Sequence, residues 1–336
     1  RLEYRGYDSA GVAVLTENGI AVRKTVGKVG ELCDSVSADP VAGKLGIAHT
    51  RWATHGAPTV LNAHPHTSSD RIALAHNGII ENFEELRDEL KNAGYNFASE
   101  TDSEVIVHLV DLYHQELGDL LEAVRKAVKR LEGAYAIGVV AKDDPDRIIA
   151  ARMGSPLVVG KGIGENFIAS DALALRPVTD RFIYLEEGDL VEVRKTSVAI
   201  WNVDDESVVR SSVKVVAGAD DVDRGNYRHF MQKEIHQQPK VLIDTLEGRI
   251  GRTRVLEHAF GNNAPDILDA TKAVTIAACG TSYYAGLVAK YWIEELAGIP
   301  CQVEIASEFR YRKVAVIPDS LFVTLTQSGE TADTLA

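Results

Sequence analysis

The sequence predicts an α+β layered sandwich followed by a smaller parallel α/β unit, and three observations predict it. Through the first two-thirds, many short apolar runs of strand length are interrupted by only a few helical stretches. After Thr271 the pattern changes to β-α-β-α-β, which right-handed crossovers turn into a doubly wound parallel sheet. Between the two lies Ala217–Arg224, a connection of Gly, Ala and Asp, and 336 residues suit two domains better than one.

Taken in order, Gly11–Leu15 and Ile20–Val26 read as paired strands around the Glu17-Asn18-Gly19 turn, an Asn-Gly hairpin signal. Leu45–Ala48 and Ile72–Ala75 are apolar runs of strand length that end in polar clusters. Asn82–Lys91 and Asp102–Gln115 have helical spacing, with Val105, Ile106, Leu109 and Leu112 on one face. Asp119–Leu131 is a third helix, stopped by Gly133. Strands follow at Ala134–Ala141, Arg147–Ala151, Leu157–Val159, Phe167–Ala169, Arg181–Leu185, Leu190–Arg194 and Val198–Asn202. A helix is expected from His229 to Glu247. The second unit then reads as strand Ala273–Ala278, helix Ser282–Leu296, strand Gln302–Ile305, a short helix, and strand Leu321–Leu325.

Composition excludes several classes. Hydrophobic content of 45% with 25% charged residues is globular rather than disordered. Forty-nine acids against 36 bases, a net charge of −13, argue against a nucleic-acid partner, but not against a phosphorylated small molecule. The longest apolar run, around Ala273–Cys279, is too short for a membrane span, and the Arg1 start has no signal-peptide character. Three cysteines, Cys33, Cys279 and Cys301, offer neither a disulfide framework nor a CxxC zinc pattern, so a reducing cytoplasm is expected.

Half of the ten histidines fall between His49 and His76, in His49-Thr50-Arg51-Trp52-Ala53-Thr54-His55-Gly56, Asn62-Ala63-His64-Pro65-His66 and His76-Asn77-Gly78. Three readings are open: a metal held by His64, His66 and another histidine; histidines that serve local loop hydrogen bonds; or a substrate site at strand ends. In the third, Arg51 offers a fork of donors suited to a carboxylate. Asn77 and the Gly78 N–H could aim two donors at a developing oxyanion. Asp102, expected to cap its helix, could also hold an amine. Together these describe a site for an amino-acid amide. In the second unit, Cys279-Gly280-Thr281-Ser282 and Thr326-Gln327-Ser328-Gly329-Glu330-Thr331 each end a strand and open a helix. Two such turns at neighbouring strand ends suit one phosphate. Gly160-Lys161-Gly162-Ile163-Gly164 imitates a nucleotide loop but lies between strands, as a hairpin turn would.

HTRWATHG, HNGIIEN and the opening RLEYRGYDSAG closely resemble the isomerising glutamine–fructose-6-phosphate aminotransferases. So do SETDSEV, GSPLVVG, NFIASD, LEEGD, RHFMQKEI, ACGTS, EIASEFRYR and QSGETADT, which extend the resemblance along the chain. The resemblance implies an αββα N-terminal-nucleophile glutaminase over residues 1–217 and a linker over 218–238. It implies an incomplete sugar-isomerase (SIS) domain over 239–336. Arg51, Asp102, Thr54, His55 and Arg5 would bind glutamine, with Trp52 at the gate of the ammonia path and Asn77 and Gly78 as the oxyanion hole. Cys279, Gly280, Thr281, Ser282, Thr326, Gln327, Ser328 and Thr331 would bind the sugar phosphate, Thr326 standing where the family commonly has serine. His64 matches a family position without an assigned role.

For function, the resemblance implies glutamine and fructose-6-phosphate as substrates, no cofactor, no metal, and a homodimer when complete. The family's nucleophile is a cysteine at the mature N-terminus, and Cys33, read as a buried small residue inside a helix, cannot replace it. The chain therefore reads as a segment truncated at both ends, lacking the nucleophile and the second isomerase half and not itself competent. Two rivals remain. Another class II amidotransferase would lack the paired phosphate turns, and a non-catalytic phosphosugar-binding regulator would not need Arg51, Asn77 and Asp102.

Overall fold

A computed structural model of the chain describes residues 7–51, 56–215, 227–246, 249–251, 254–261, 263–326 and 334. The chain divides into two compact units, Arg1–Asn262 and Asn263–Ala336.

The first unit opens with strands β1 (Ser9–Thr16) and β2 (Gly19–Val26), then helix α1 (Val29–Ala38) and strand β3 (Leu45–Arg51). Next come β4 (His66–Ser68), β5 (Ile72–Ile80), α2 (Phe83–Asn92), α3 (Asp102–Leu117), α4 (Leu120–Val128), β6 (Gly133–Ala141) and β7 (Asp144–Met153). Short elements follow: β8 (Val158–Lys161), β9 (Asn166–Ala169), α5 (Ala172–Leu175), β10 (Arg181–Tyr184), β11 (Leu190–Arg194), β12 (Val198–Trp201), β13 (Ser207–Val208) and β14 (Ser212–Lys214). Helix α6 (Phe230–Leu246) runs through Pro239.

These elements stack as α-β-β-α. A seven-stranded antiparallel sheet, β13-β12-β11-β7-β6-β5-β4, is covered on one face by α2, α3 and α4 through Leu74, Ile137, Val139, Leu86, Ile106, Leu109 and Val124. Its other face packs on two smaller sheets, β2-β1-β3 and β14-β10-β8-β9, through Ala73, Val140 and Ala150 against Ala13, Ile47, Val159 and Ile183. Helix α1 lies against β1 and β2 and buries none of its own side chains. The strands alternate their faces, so β5 sends Leu74 to the helices and Ala73 to the opposing sheet.

Several local expectations change. The hairpin register pairs Thr16 with Gly19, so its two-residue loop is Glu17-Asn18 and Gly19 begins β2. Asp102 does not cap α3; Thr101 does, its hydroxyl accepting the Glu104 N–H, and Asp102 occupies the first helical turn. Helix α3 is buried beyond the face of Val105, Ile106, Leu109 and Leu112: Asp102–Asp111 are all buried, and its polar members are paired rather than solvated. Asp111 accepts from Arg71 through two nitrogens at 2.9 and 2.7 Å and from the Ser68 and Tyr95 hydroxyls at 3.0 Å. Cys33 is exposed on α1, not buried, because that helix has only one packed side and the thiol is off it. Gly160 and Lys161 close β8, paired with Phe167 and Asn166, and Gly162–Glu165 is the hairpin turn to antiparallel β9.

The second unit contains α7 (Ala264–Ala270), β15 (Ala273–Ala278), α8 (Gly280–Trp292), β16 (Cys301–Ile305), α9 (Ala306–Tyr311) and β17 (Ser320–Leu325). The sheet is parallel in the order β16-β15-β17, and α8 ends in a π turn, Ile293–Ala297. The expected connection Ala217–Arg224 lies outside the described residues.

Candidate functional site

Strands from the two facing sheets of the first unit end around a cavity of about 1690 Å³, lined among others by His49, Arg51, His64, Asn77, Gly78 and Asp102. Arg51 closes β3, where alternation puts it on the same face as His49. Its guanidinium is buried: Nη1 lies 3.4 Å from Asp8 Oδ1, and Nη2 donates to the Gly56 carbonyl at 3.1 Å. Burial draws its pKa down while Asp8 and Asp102 oppose the shift, so the cation sits among carboxylates. The pairing of Ser9 with Arg51 across β1 and β3 is what brings Asp8 alongside.

Asn77 and Gly78 lie near the end of β5. Gly78 has φ +130°, and a Cβ there would fall 2.0 Å from the Ala134 carbonyl oxygen on β6, so the position admits only glycine. Asp102 enters the cavity from the first turn of α3, and its Oδ2 accepts the Ile80 N–H at 2.9 Å, tying the helix start to the end of β5. The predicted residues Arg51, Asn77, Gly78 and Asp102 are thus brought together around one space. Arg5, Trp52, Thr54 and His55 lie outside the described residues.

The histidines form a cluster on this wall. His49 Nε2 is 2.8 Å from Asn77 Oδ1, His76 Nδ1 is 2.8 Å from the Ser103 hydroxyl, and His66 Nε2 is 3.0 Å from the Thr101 hydroxyl. His64 stands between them, its ring 4.3 Å from that of His49 and 4.7 Å from that of His66, with both nitrogens buried and without a hydrogen-bond partner among the described residues. A close approach makes room for it: a Cβ on Gly11 would lie 2.1 Å from the His64 carbonyl oxygen. Burial pushes His49 down to about 4 and holds His64 and His66 well below the ordinary imidazole range; it also lowers His76. Among the described residues, no three or more His, Cys, Asp or Glu side chains are arranged to hold a metal ion. Nor is any described helix long and apolar enough to cross a membrane.

Asp8 and the individual roles of His49 and Thr101 were not legible in the motifs. The signals were present: Thr101-Asp102-Ser103-Glu104 has capping-box spacing, and His49 precedes Arg51 by two on a strand.

In the second unit, Ala278 pairs with Leu325, so Cys279 and Thr326 follow neighbouring strand ends. Because β15 connects onward to β16 on one side while β17 lies on the other, this is the point where the strand order reverses. Cys279 occupies the N-cap position of α8 without a side-chain cap, and Gly280 has φ +57°, followed by Thr281 and Ser282 in the first turn. Gln327, Ser328 and Thr331 lie outside the described residues.

Residues 50–177 match the family of glutamine amidotransferase domains, and residues 267–336 match that of SIS domains. The chain thus carries, in order, a region that matches glutamine amidotransferase domains and one that matches SIS domains. It is 62% identical over 337 residues to the isomerizing glutamine–fructose-6-phosphate aminotransferase of Pseudomonas putida, covering 100% of this chain and 55% of that protein. The enzyme of the same name from Pseudomonas aeruginosa is 61% identical over the same extent. The chain spans about half the length of the curated relatives it matches, and the resemblance carried by the motifs holds along all of it. Among solved structures, the C-terminal domain of glucosamine-fructose-6-phosphate aminotransferase from Francisella tularensis is 48% identical, covers 33% of this chain and 30% of that one, and has a TM-score of 0.31.

Proposed function

We propose that the protein to which this chain belongs converts fructose-6-phosphate and glutamine to glucosamine-6-phosphate and glutamate. The observation that carries this reading is the convergence of Arg51, Asp102, Asn77 and Gly78 on one cavity, in a chain that also carries the SIS domain. Arg51 binds the glutamine carboxylate and Asp102 its ammonium, opposite charges set to take a zwitterion. With the amino acid so held, the side-chain amide meets Asn77 Nδ2 and the Gly78 N–H, which stabilise the oxyanion of the tetrahedral intermediate. Arg5, Thr54 and His55 complete the glutamine site, and Trp52 gates the path of released ammonia. No residue of the chain is assigned as nucleophile; Cys33, inside α1, has no free α-amine to act as its base.

In the SIS domain, Cys279, Gly280, Thr281, Ser282 and Thr326, with Gln327, Ser328 and Thr331, hold the sugar phosphate. Open N–H groups and hydroxyls at the start of α8 supply neutral donors to the anion. The absence of paired cysteines among the three fits a reducing cytoplasm, and the family resemblance favours a homodimer. Glutamate release from glutamine by the complete protein, with calorimetric titration of glucosamine-6-phosphate, tests the reading. Release with micromolar-range sugar-phosphate binding is expected; failure of the sugar phosphate to bind would overturn it.

A further inference from the structure

We propose that His49 is the positioning residue for Asn77, fixing the orientation of its carboxamide so that Nδ2 rather than Oδ1 faces the reacting carbonyl. This rests on the assignment of Asn77 to the oxyanion hole made above. A carboxamide turned by 180° exchanges donor for acceptor while filling the same space, so packing alone does not choose between the two orientations. An oxyanion does choose: Nδ2 stabilises it and Oδ1 repels it. The orientation is therefore worth as much to the reaction as the presence of the side chain.

What selects it is the tautomer of His49. Nε2 of His49 lies 2.8 Å from Asn77 Oδ1, and a carboxamide oxygen only accepts, so this contact requires the proton on Nε2. The opposite tautomer would place the proton on Nδ1 and invite Asn77 to turn its amide nitrogen towards Nε2. Nδ1, however, is shielded from solvent and has no hydrogen-bond partner among the described residues. A buried N–H with no acceptor is costly, whereas a bare ring lone pair is the milder defect. The orphaned Nδ1 is thus the device that keeps the proton on Nε2 and Asn77 Oδ1 turned away from the substrate. The His64 ring, 4.3 Å from that of His49 and tilted by 40°, packs on the imidazole without offering Nδ1 an acceptor. Alternation on β3 carries the same face from His49 to Arg51, so one strand both anchors the glutamine carboxylate and aims the oxyanion donor.

The test is steady-state glutamate release by the complete protein in four single variants, His49→Phe, His49→Gln, His49→Asn and Asn77→Ala, and in the double variant His49→Phe with Asn77→Ala. Phenylalanine keeps the ring and removes the donor. The amide nitrogen of glutamine reaches the place of Nε2, and that of asparagine reaches only the place of Nδ1. Loss of a whole oxyanion donor lowers kcat by about 10²–10³-fold, which sets the ceiling. His49→Phe and His49→Asn are expected to lower kcat by about 10–100-fold, with the KM for glutamine changed by less than about threefold. His49→Gln is expected to recover most of the rate. If His49 acts only through Asn77, adding His49→Phe to Asn77→Ala costs nothing further.

Equal rates in His49→Gln and His49→Asn would overturn the proposal, and this comparison survives even where His49→Phe does not fold. So would additive losses in the double variant. An Asn77→Ala protein as fast as the parent would overturn the oxyanion assignment itself, and the proposal with it. An impaired Asn77→Ala beside an unimpaired His49→Phe overturns only the positioning role.

Discussion

Mild acid should unfold the amidotransferase domain in a window set by its buried imidazoles. His49, His64, His66 and His76 are all held below their ordinary 6.5 by burial, His49 to about 4. A group whose folded pKa is depressed stabilises the fold fully above its unfolded value and loses that contribution as pH falls towards the folded value. The window therefore opens near pH 6.5 and, for His49, closes near 4. Each imidazole that stays neutral in the fold and titrates freely when unfolded contributes about 1.4 kcal/mol less at pH 5.5 than at pH 7.5. Three such groups, His49, His64 and His66, amount to about 4 kcal/mol, to which His76 adds in the same direction, a large share of the ~5–15 kcal/mol that holds a domain together. The buried Glu104 does not titrate in this range. Burial alone would raise Glu104, but the His108 ring 3.6 Å away and hydrogen bonds from the Ser99 hydroxyl, the Ser99 N–H and the Ala98 N–H hold it down to about 2, so its contribution is lost only below its ordinary 4.5. Equilibrium urea unfolding at pH 7.5, 6.5 and 5.5 with a constant m-value reads the loss directly. His64→Leu should reduce it by about a quarter to a third, since one of the three strongly shifted groups is gone. A loss smaller than about 1.4 kcal/mol over the two pH units, the equivalent of one proton, would refute the reasoning.

Three other outcomes are expected from the geometry. Gly78→Ala forces a Cβ to within 2.0 Å of the Ala134 carbonyl at φ +130°, so a destabilisation of about 3 kcal/mol or more is expected in urea unfolding, together with loss of glutamate release. Asp111→Ala strands the donors of Arg71, Ser68 and Tyr95 and should cost about 3–5 kcal/mol, whereas exposed Cys33→Ser should change stability by less than about 0.5 kcal/mol. Glutamine affinity in the complete protein should vary less than about threefold between pH 6.5 and 8, because the cluster's imidazoles are already neutral there; calorimetry in buffers of different ionisation heat would expose any proton uptake.

The layers of the fold were legible because their patterns are long. Strands β5, β6 and β7 and helix α3 each present several turns or alternations, and the parallel unit after Thr271 has its strands within a residue of where the sequence suggests. What escaped was short or non-local. β4, β13 and β14 have two or three residues each, too few for a period to show. Helix α7 was not anticipated although Pro265 sits in its first turn, where proline is favoured. The burial of α3's polar side is not legible in sequence, because Asp111, His108 and Glu104 are charged or polar types that ordinarily face solvent. Their partners Ser68, Arg71, Tyr95 and Ser99 come from other elements or loops, and sequence spacing does not announce such pairings. The same limit applies at the site: Arg51, Asn77, Gly78 and Asp102 stand in recognisable motifs, but the link from His49 to Asn77 spans 28 residues and two sheets.

The neutrality of the histidine cluster bears on how the cavity would take the zwitterion proposed for it. Arg51 is a buried cation whose charge is balanced by Asp8 nearby and influenced by Asp102 and Glu100. A zwitterion brings one charge of each sign, and the site can take it only if its own field keeps a positive and a negative end. An imidazolium beside Arg51 would repel that guanidinium and draw the incoming carboxylate away from it. Apolar residues in the same places would avoid the charge, but they could not supply the Nε2–H that Asn77 Oδ1 needs, nor bond Ser103 and Thr101 at the start of α3. Imidazoles kept neutral by burial meet both demands: they donate where a donor is needed and add no net charge. The orphaned nitrogens of His64 and His49 are the residual cost of building the wall from one residue type, and the acid sensitivity of the domain is the measurable consequence of that choice.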